Sequence, residues 1–85
     1  MTLQQIRYVA EIARHGTISK AAQELYITQP HLSSVLKELE NELGITIFSR
    51  ARKGVVLTED GREFLHFARP LLEQEERILN FYADK

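Results

Sequence analysis

Between Thr28 and Lys37 the chain reads TQPHLSSVLK, and its polar side chains are Gln29, His31, Ser33, Ser34 and Lys37. Further on come Arg50, Arg52 and Lys53, inside a stretch from 45 to 57 that holds no acid. Carboxamide, hydroxyl and ammonium groups at helical spacing, followed by clustered cations, suit hydrogen bonding to base edges and neutralisation of phosphate. They suit bond-making chemistry poorly. Ser33, Ser34 and His31 share one helical turn, but no acid partner and no oxyanion loop accompany them. The chain has no cysteine, which removes disulfides, thiolate zinc sites and thiol nucleophiles. His15, His31 and His66 fall on three different predicted helices, and no pair has metal-ligand spacing. Gly54 and Gly61 stand alone, so there is no glycine-rich phosphate loop. No catalytic residue, metal or cofactor is expected.

A formal charge of −1 argues against a polyanion partner, but the distribution is uneven. Residues 1 to 57 hold seven Lys/Arg and five Asp/Glu; residues 58 to 85 hold four and seven. The acidic C-terminal stretch thus hides a local basic patch in the total. Eighty-five residues make one thin-cored domain, for which a partner surface would add stability. No apolar run approaches the ~20 residues of a membrane helix, and the N-terminus lacks the apolar core of a signal peptide, so the expected compartment is the cytoplasm.

Apolar spacing gives the elements that must position these groups. Leu3, Ile6, Val9, Ala10 and Ala13 make a first helix stopped by Gly16, with Tyr8 and Ile12 off its inward stripe. Ser19 is the expected N-cap of a short second helix with Ala21, Ala22 and Leu25 inside, small residues that permit a close helix crossing. Leu25 and Ile27 anchor the following turn. Thr28 caps a third helix whose inner stripe is Leu32, Val35, Leu36, Leu39 and Leu43, ended by Gly44. Pro30 falls in its first turn, where a missing N–H costs nothing. Pro30, Ser34, Lys37 and Asn41 then form the outer row, flanked by Ser33 and Glu38. Glu38, Glu40 and Glu42 would be repelled by phosphate, so only the first two turns should meet a nucleic acid. A solvated helix face can have the same composition; the cationic hairpin that follows shifts the balance.

That hairpin is ITIFSRARKGVVLT, β-branched and alternating, with its tip near Lys53-Gly54. Thr58 caps a last helix with Glu59 and Asp60 in its first turn. It should pass Pro70 with a bend, because the apolar pattern continues beyond it. The expected fold is mainly α: a winged helix-turn-helix of three helices and a β-hairpin wing over 1–58, then a long linker helix over 59–85. The wing would lie along a nucleic-acid backbone or in a minor groove.

The residues IRYVAEIARHGTISKAAQELYITQPHLSSVLKELENELGITIFSR, preceded by Leu3 and followed by GVVLTEDG, resemble the N-terminal DNA-binding region of LysR-type transcriptional regulators. The order agrees throughout: a small-residue AA helix, TQP opening the recognition helix, IFSR entering the wing, LT..G opening the linker helix. The resemblance implies a bacterial regulator that binds promoter or operator DNA. It implies that Gln29, Pro30, Ser33, Ser34 and Lys37 lie at the DNA and that Arg50, Arg52 and Lys53 belong to the wing. His31 departs from the family, which has a small residue or proline there, and is a candidate either to contact phosphate or to shift local sequence preference. Members carry a larger effector-binding domain after the linker helix, so the chain is expected to be the isolated DNA-binding part. A small-molecule effector would act only through that absent domain.

On the last helix, Phe64, Leu71 and Ile78 recur every seven residues, as do Leu65, Leu72 and Leu79, with Ala68 and Tyr82 on the same side. Part of a seam that long can pack on the first helix, at Tyr8 and Ile12, and the remainder suits a second copy, so a homodimer on a partly palindromic site is expected, with the option of a higher oligomer in a full-length protein. The competing reading is a helical dimer that binds protein, supported by the slightly negative charge. A salt titration separates the two, because phosphate contacts lose affinity steeply with salt.

Overall fold

Each of the four helices starts at a threonine. The computed structural model describes all residues from Met1 to Lys85. It places α1 at Leu3–His15, α2 at Ile18–Leu25, α3 at Gln29–Leu43 and α4 at Glu59–Ala83, with β1 (Phe48–Ala51) and β2 (Gly54–Leu57) between the last two. Thr2, Thr17, Thr28 and Thr58 are the N-caps, and each hydroxyl oxygen accepts from the N–H three residues on. That satisfies one of the unpaired donors at each helix start. Ser19, expected to cap α2, is instead inside its first turn. Gly16 closes α1 at φ 77, and Thr17 follows in extended conformation, so the cap falls two residues earlier.

Helix α1 occupies the middle of the molecule, against α2, α3 and α4, and therefore buries more than one stripe. Ile12, expected off the inward stripe, is fully buried with Ile6 and Val9, while Leu3 is 38% exposed at the helix start. Ala21 and Ala22 are buried where α2 meets its neighbours. Helix α3 turns Leu32, Leu36 and Leu39 inward; Val35 is half-buried and Leu43 lies partly exposed in the last turn. The tight turn joins α2 to the start of α3, so that last turn has the least to pack against. Leu25 and Ile27 pack against the core from the turn.

The hairpin pairs Phe48 with Leu57 and Ala51 with Gly54 in antiparallel register, leaving Arg52 and Lys53 as its two-residue tip, one residue earlier than expected. Ile47 and Phe48 carry it into the core. Thr58 donates its hydroxyl to the Thr46 carbonyl and its N–H to the Ile47 carbonyl, which seats the start of α4 on the same loop. Gly61 permits that seat: a Cβ there would stand 2.1 Å from the Ile47 oxygen.

Helix α4 runs unbroken through Pro70, although proline removes one hydrogen bond of the ladder. Its 25 residues should measure about 37 Å at 1.5 Å each, and the molecule is correspondingly elongated, 47 × 25 × 20 Å. Only its first half joins the core. Leu65 and Ala68 are buried there, and Phe64 and Leu72 are half-buried. This corrects the expected seam: Leu65 and Ala68 have no surface to offer a second copy. The sevenfold spacing combined two faces of one helix, and the row 65, 72, 79 is the inward one. Leu79 extends that row beyond the body and is exposed, as are Leu71, Ile78 and Tyr82. Phe67 at 71% and Phe81 at 61% are exposed as well. No helix is long and apolar enough to cross a membrane.

Candidate nucleic-acid interface

The start of α3 is built for exposure. Thr28 is extended, its hydroxyl accepts the His31 N–H at 3.2 Å, and Gln29 and Pro30 are the first two helical residues. Gln29, Pro30, His31, Ser34 and Lys37 are exposed and Ser33 is half-buried. The outer row expected from spacing, Pro30, Ser34, Lys37 and Asn41, is exposed along its whole length.

Beside that row lies a groove of about 510 Å³ between α2, α3 and the hairpin. Gln29, Ser33, Lys37 and Glu40 line it from α3, and Ser49 and Arg50 line it from β1, with Leu36 and Phe48 among its apolar residues. Residues far apart in sequence thus converge on one concave surface. Pro30, His31 and Ser34 do not line it, and neither do Arg52 and Lys53, which form the exposed hairpin tip. Thr17, Ile18 and Ser19 also border the groove, and sequence reasoning did not single out Thr17 or Ile18. The signal was available: Gly-Thr after a helical run is a stop followed by a cap.

The site's cations have no internal partners. The ion pairs of the molecule join the Met1 amine to Glu42, Arg7 to Glu75, and Arg14 and His15 to Glu11. Lys37, Arg50, Arg52 and Lys53 take part in none of them. The acids of α3 are partly neutralised or occupied. Glu42 faces the Met1 amine at 2.7 Å, and Glu40 accepts the N–H groups of Ile47 at 2.7 Å and Phe48 at 3.4 Å. Glu40 is therefore a support of the wing as well as a half-buried acid at the groove.

The histidines have separate surroundings: His15 lies 3.2 Å from Glu11, His66 meets Phe67 edge-on, and His31 is exposed. No group of His, Cys, Asp or Glu is placed to hold a metal ion. A second hollow, lined by Glu40, Asn41, Thr46, Thr58 and Asp60 among others, lies at the joint of α3 and α4 and carries two acids and no cation.

Three helices, a tight turn into an exposed α3 and a cationic hairpin after it define a winged helix-turn-helix. Residues 3–62 match the family described as bacterial regulatory helix-turn-helix protein, lysR family, and the chain belongs to that family. Among curated relatives, it is 40% identical over 82 residues to the RuBisCO operon transcriptional regulator of Allochromatium vinosum, covering 93% of this chain and 27% of that protein. It is 41% identical over 76 residues to the HTH-type transcriptional regulator ClcR of Pseudomonas putida, covering 89% and 26%. The chain thus spans about a quarter of the length of these relatives. Among solved structures, the BenM DBD in complex with benA site 1 DNA superimposes with a TM-score of 0.90 at 32% identity, over 99% of this chain and 94% of that one. CbnR, a LysR family transcriptional regulator, gives 0.88 at 31% identity, over 98% and 29%. The family is one of transcriptional regulators, not of enzymes.

Proposed function

We propose that residues 1–58 bind DNA sequence-specifically as the reading head of a bacterial LysR-type transcription regulator, and that residues 59–85 link and pair two such heads. Helix α3, over 29–43, enters the major groove by its first two turns. The wing, about 49–55, lies on the backbone or in the minor groove. The observation that carries this reading is the set of four cations, Lys37, Arg50, Arg52 and Lys53, left without acid partners beside an exposed, small-residue helix face. Free cations at a groove favour phosphate; a protein-binding module of net charge −1 would have no need to leave them unpaired. The resemblance to a DBD solved on DNA supports the same reading.

On this reading Gln29, Ser33, Ser34 and Lys37 offer donors and acceptors to base edges, and Pro30 shapes the helix start. His31, near the N-terminal N–H groups of α3, meets phosphate. The chain works in the cytoplasm, where the promoter is. Pairing uses the exposed row of α4. Phe67, Leu71, Gln74, Ile78 and Phe81 are spaced by alternating steps of four and three, the repeat of a two-helix seam. The half-buried Phe64 and Leu72, with Leu79 and Tyr82, border it.

The test is selection of duplexes from a random library by the wild-type chain, followed by a salt titration of the selected sequence. Affinity should fall with salt at a slope of roughly −0.9 per phosphate contact. No enrichment, or an affinity indifferent to salt, would favour a protein partner instead.

A further inference from the structure

The hairpin is held to the rest of the molecule at an unusual point. The Val55 N–H donates to the Gly16 carbonyl at 2.9 Å, the one backbone bond from the hairpin to the turn between α1 and α2. The residue beside it, Gly54, has φ 118, a conformation that L side chains rarely adopt. A Cβ at 54 would lie 2.1 Å from the Gly16 oxygen, 2.8 Å from Thr17 Cγ2 and 3.2 Å from the Gly16 carbonyl carbon. The backbone of the hairpin therefore rests directly on the backbone of the α1–α2 turn, with no space for any side chain between them. Gly54 also immediately follows the tip residues Arg52 and Lys53, and its partner across the hairpin is Ala51. The contact lies at the pivot of the tip.

We infer that Gly54 and Gly16 form a clasp that sets where the wing's cations stand relative to α2 and α3. Gly54 is a positioning residue for DNA binding: it has no side chain to offer a nucleic acid, and it acts by fixing Arg52 and Lys53. The other ties of the hairpin, from Glu40 to Ile47 and Phe48 and from Thr58 to Thr46 and Ile47, all hold its root. Without the clasp the root stays anchored and the tip becomes free to swing. An unclasped tip spreads its two cations over many orientations, and a charge that is not held opposite a phosphate contributes little to affinity. The inference rests on the wing reading above, and the experiment separates the two.

The experiment is a mutant cycle on a duplex selected by the wild-type chain, with affinity measured across a salt series. In the wild-type background, Arg52→Ala with Lys53→Ala should weaken binding and flatten the salt slope by roughly two, about 0.9 per lost contact. Gly54→Ala alone should produce most of that loss in affinity and slope. Adding the two tip substitutions to Gly54→Ala should then change little. The control is Gly16→Asn. Its φ of 77 is one that asparagine tolerates, no atom lies within 4 Å of the added Cβ, and the carbonyl acceptor remains. It should lower thermal stability slightly and keep wild-type affinity and slope.

A purely structural glycine would give additive losses in the cycle, and that result would overturn the clasp. So would wild-type binding by Gly54→Ala. Amide hydrogen exchange supplies a reading that needs no DNA. The Val55 amide should be protected in the wild-type chain and exchange faster in Gly54→Ala, with core amides such as that of Val9 still protected. An unchanged Val55 amide also overturns the clasp. If Arg52→Ala with Lys53→Ala leaves wild-type binding intact while the Val55 amide responds to Gly54→Ala, the clasp exists and the wing reading fails.

Discussion

The Glu40 carboxylate accepts the Ile47 N–H at 2.7 Å, and this single acid joins the last turn of α3 to the residues that lead into the wing. The same oxygen lies 3.4 Å from the Phe48 nitrogen. Between them α3 ends and the chain reverses, so the carboxylate serves two N–H groups that no strand or helix would otherwise satisfy. Glu40→Ala leaves both donors unpaired at a half-buried place. The expected loss is about 2 kcal/mol of stability, or roughly 10 °C in the melting midpoint of a domain this size. Glu40→Gln retains an acceptor and should lose much less. Equal midpoints for Glu40→Ala and wild type would mean that water replaces the carboxylate without loss.

Tyr26 closes α2 in the left-handed conformation, φ 58 and ψ 39, with 95% of its surface exposed. It is the one non-glycine residue with positive φ. A side chain there is strained by about 1–2 kcal/mol, and so exposed a ring recovers little of that by packing. Tyr26→Gly should therefore stabilise the domain by about 1 kcal/mol, less the entropy of a freer unfolded chain. Chemical denaturation measures it. A destabilised variant would show that the ring makes contacts that offset the strain.

Ser34 and Lys37 are exposed on α3 and join no side-chain hydrogen bond or ion pair within the chain. Ser34→Ala and Lys37→Ala should leave the unfolding midpoint within about 0.5 kcal/mol of wild type, as surface substitutions do. Binding to a selected duplex should weaken. If Ser34 meets a base edge, repeating the selection with Ser34→Ala should relax preference at particular base pairs, with a discrimination loss of about 1–3 kcal/mol there. Full-strength binding by both variants would remove α3 from the groove.

Much of this fold was legible because its signals are local. Thr28 before Gln29-Pro30, Gly16 and Gly44 after apolar runs, and an alternating stretch around Arg-Lys-Gly each fix a boundary within a few residues of themselves. The failures are non-local. Ile12 falls off the main stripe of α1, on the side open to the last helix, and its complete burial depends on α4, one of the three helices that α1 meets. Glu40 looked like a solvent-facing acid, since nothing in a helical wheel records that Ile47 folds back beneath it. In α4 a sevenfold repeat cannot say which of two neighbouring rows faces inward; only the docking of Leu65 and Ala68 on the core decides it. The exposure of Phe67 and Phe81 follows from the same docking.

The corrected row gives the assembly prediction its residues. Phe67, Leu71, Ile78 and Phe81 are between 47% and 71% exposed. Burying one large apolar side chain contributes about 1.5–3 kcal/mol, so this row shared by two copies should hold a dimer of residues 1–85 at micromolar concentration. Leu71→Asp with Ile78→Asp should give monomers that bind one half-site weakly, with the unfolding of α1 to α3 little changed. Leu65→Ala should do the reverse: it removes a fully buried side chain and should cost about 2–5 kcal/mol of folding stability, with no direct effect on the exposed row. Gln74 sits at the centre of that row, where a polar residue fixes register at some cost in stability. Gln74→Leu should therefore tighten self-association and also broaden it to species larger than a dimer. Sedimentation of the four proteins across a concentration series distinguishes these outcomes. A wild-type chain that stays monomeric yet binds a full two-fold site tightly would show that α4 does not bring the copies together.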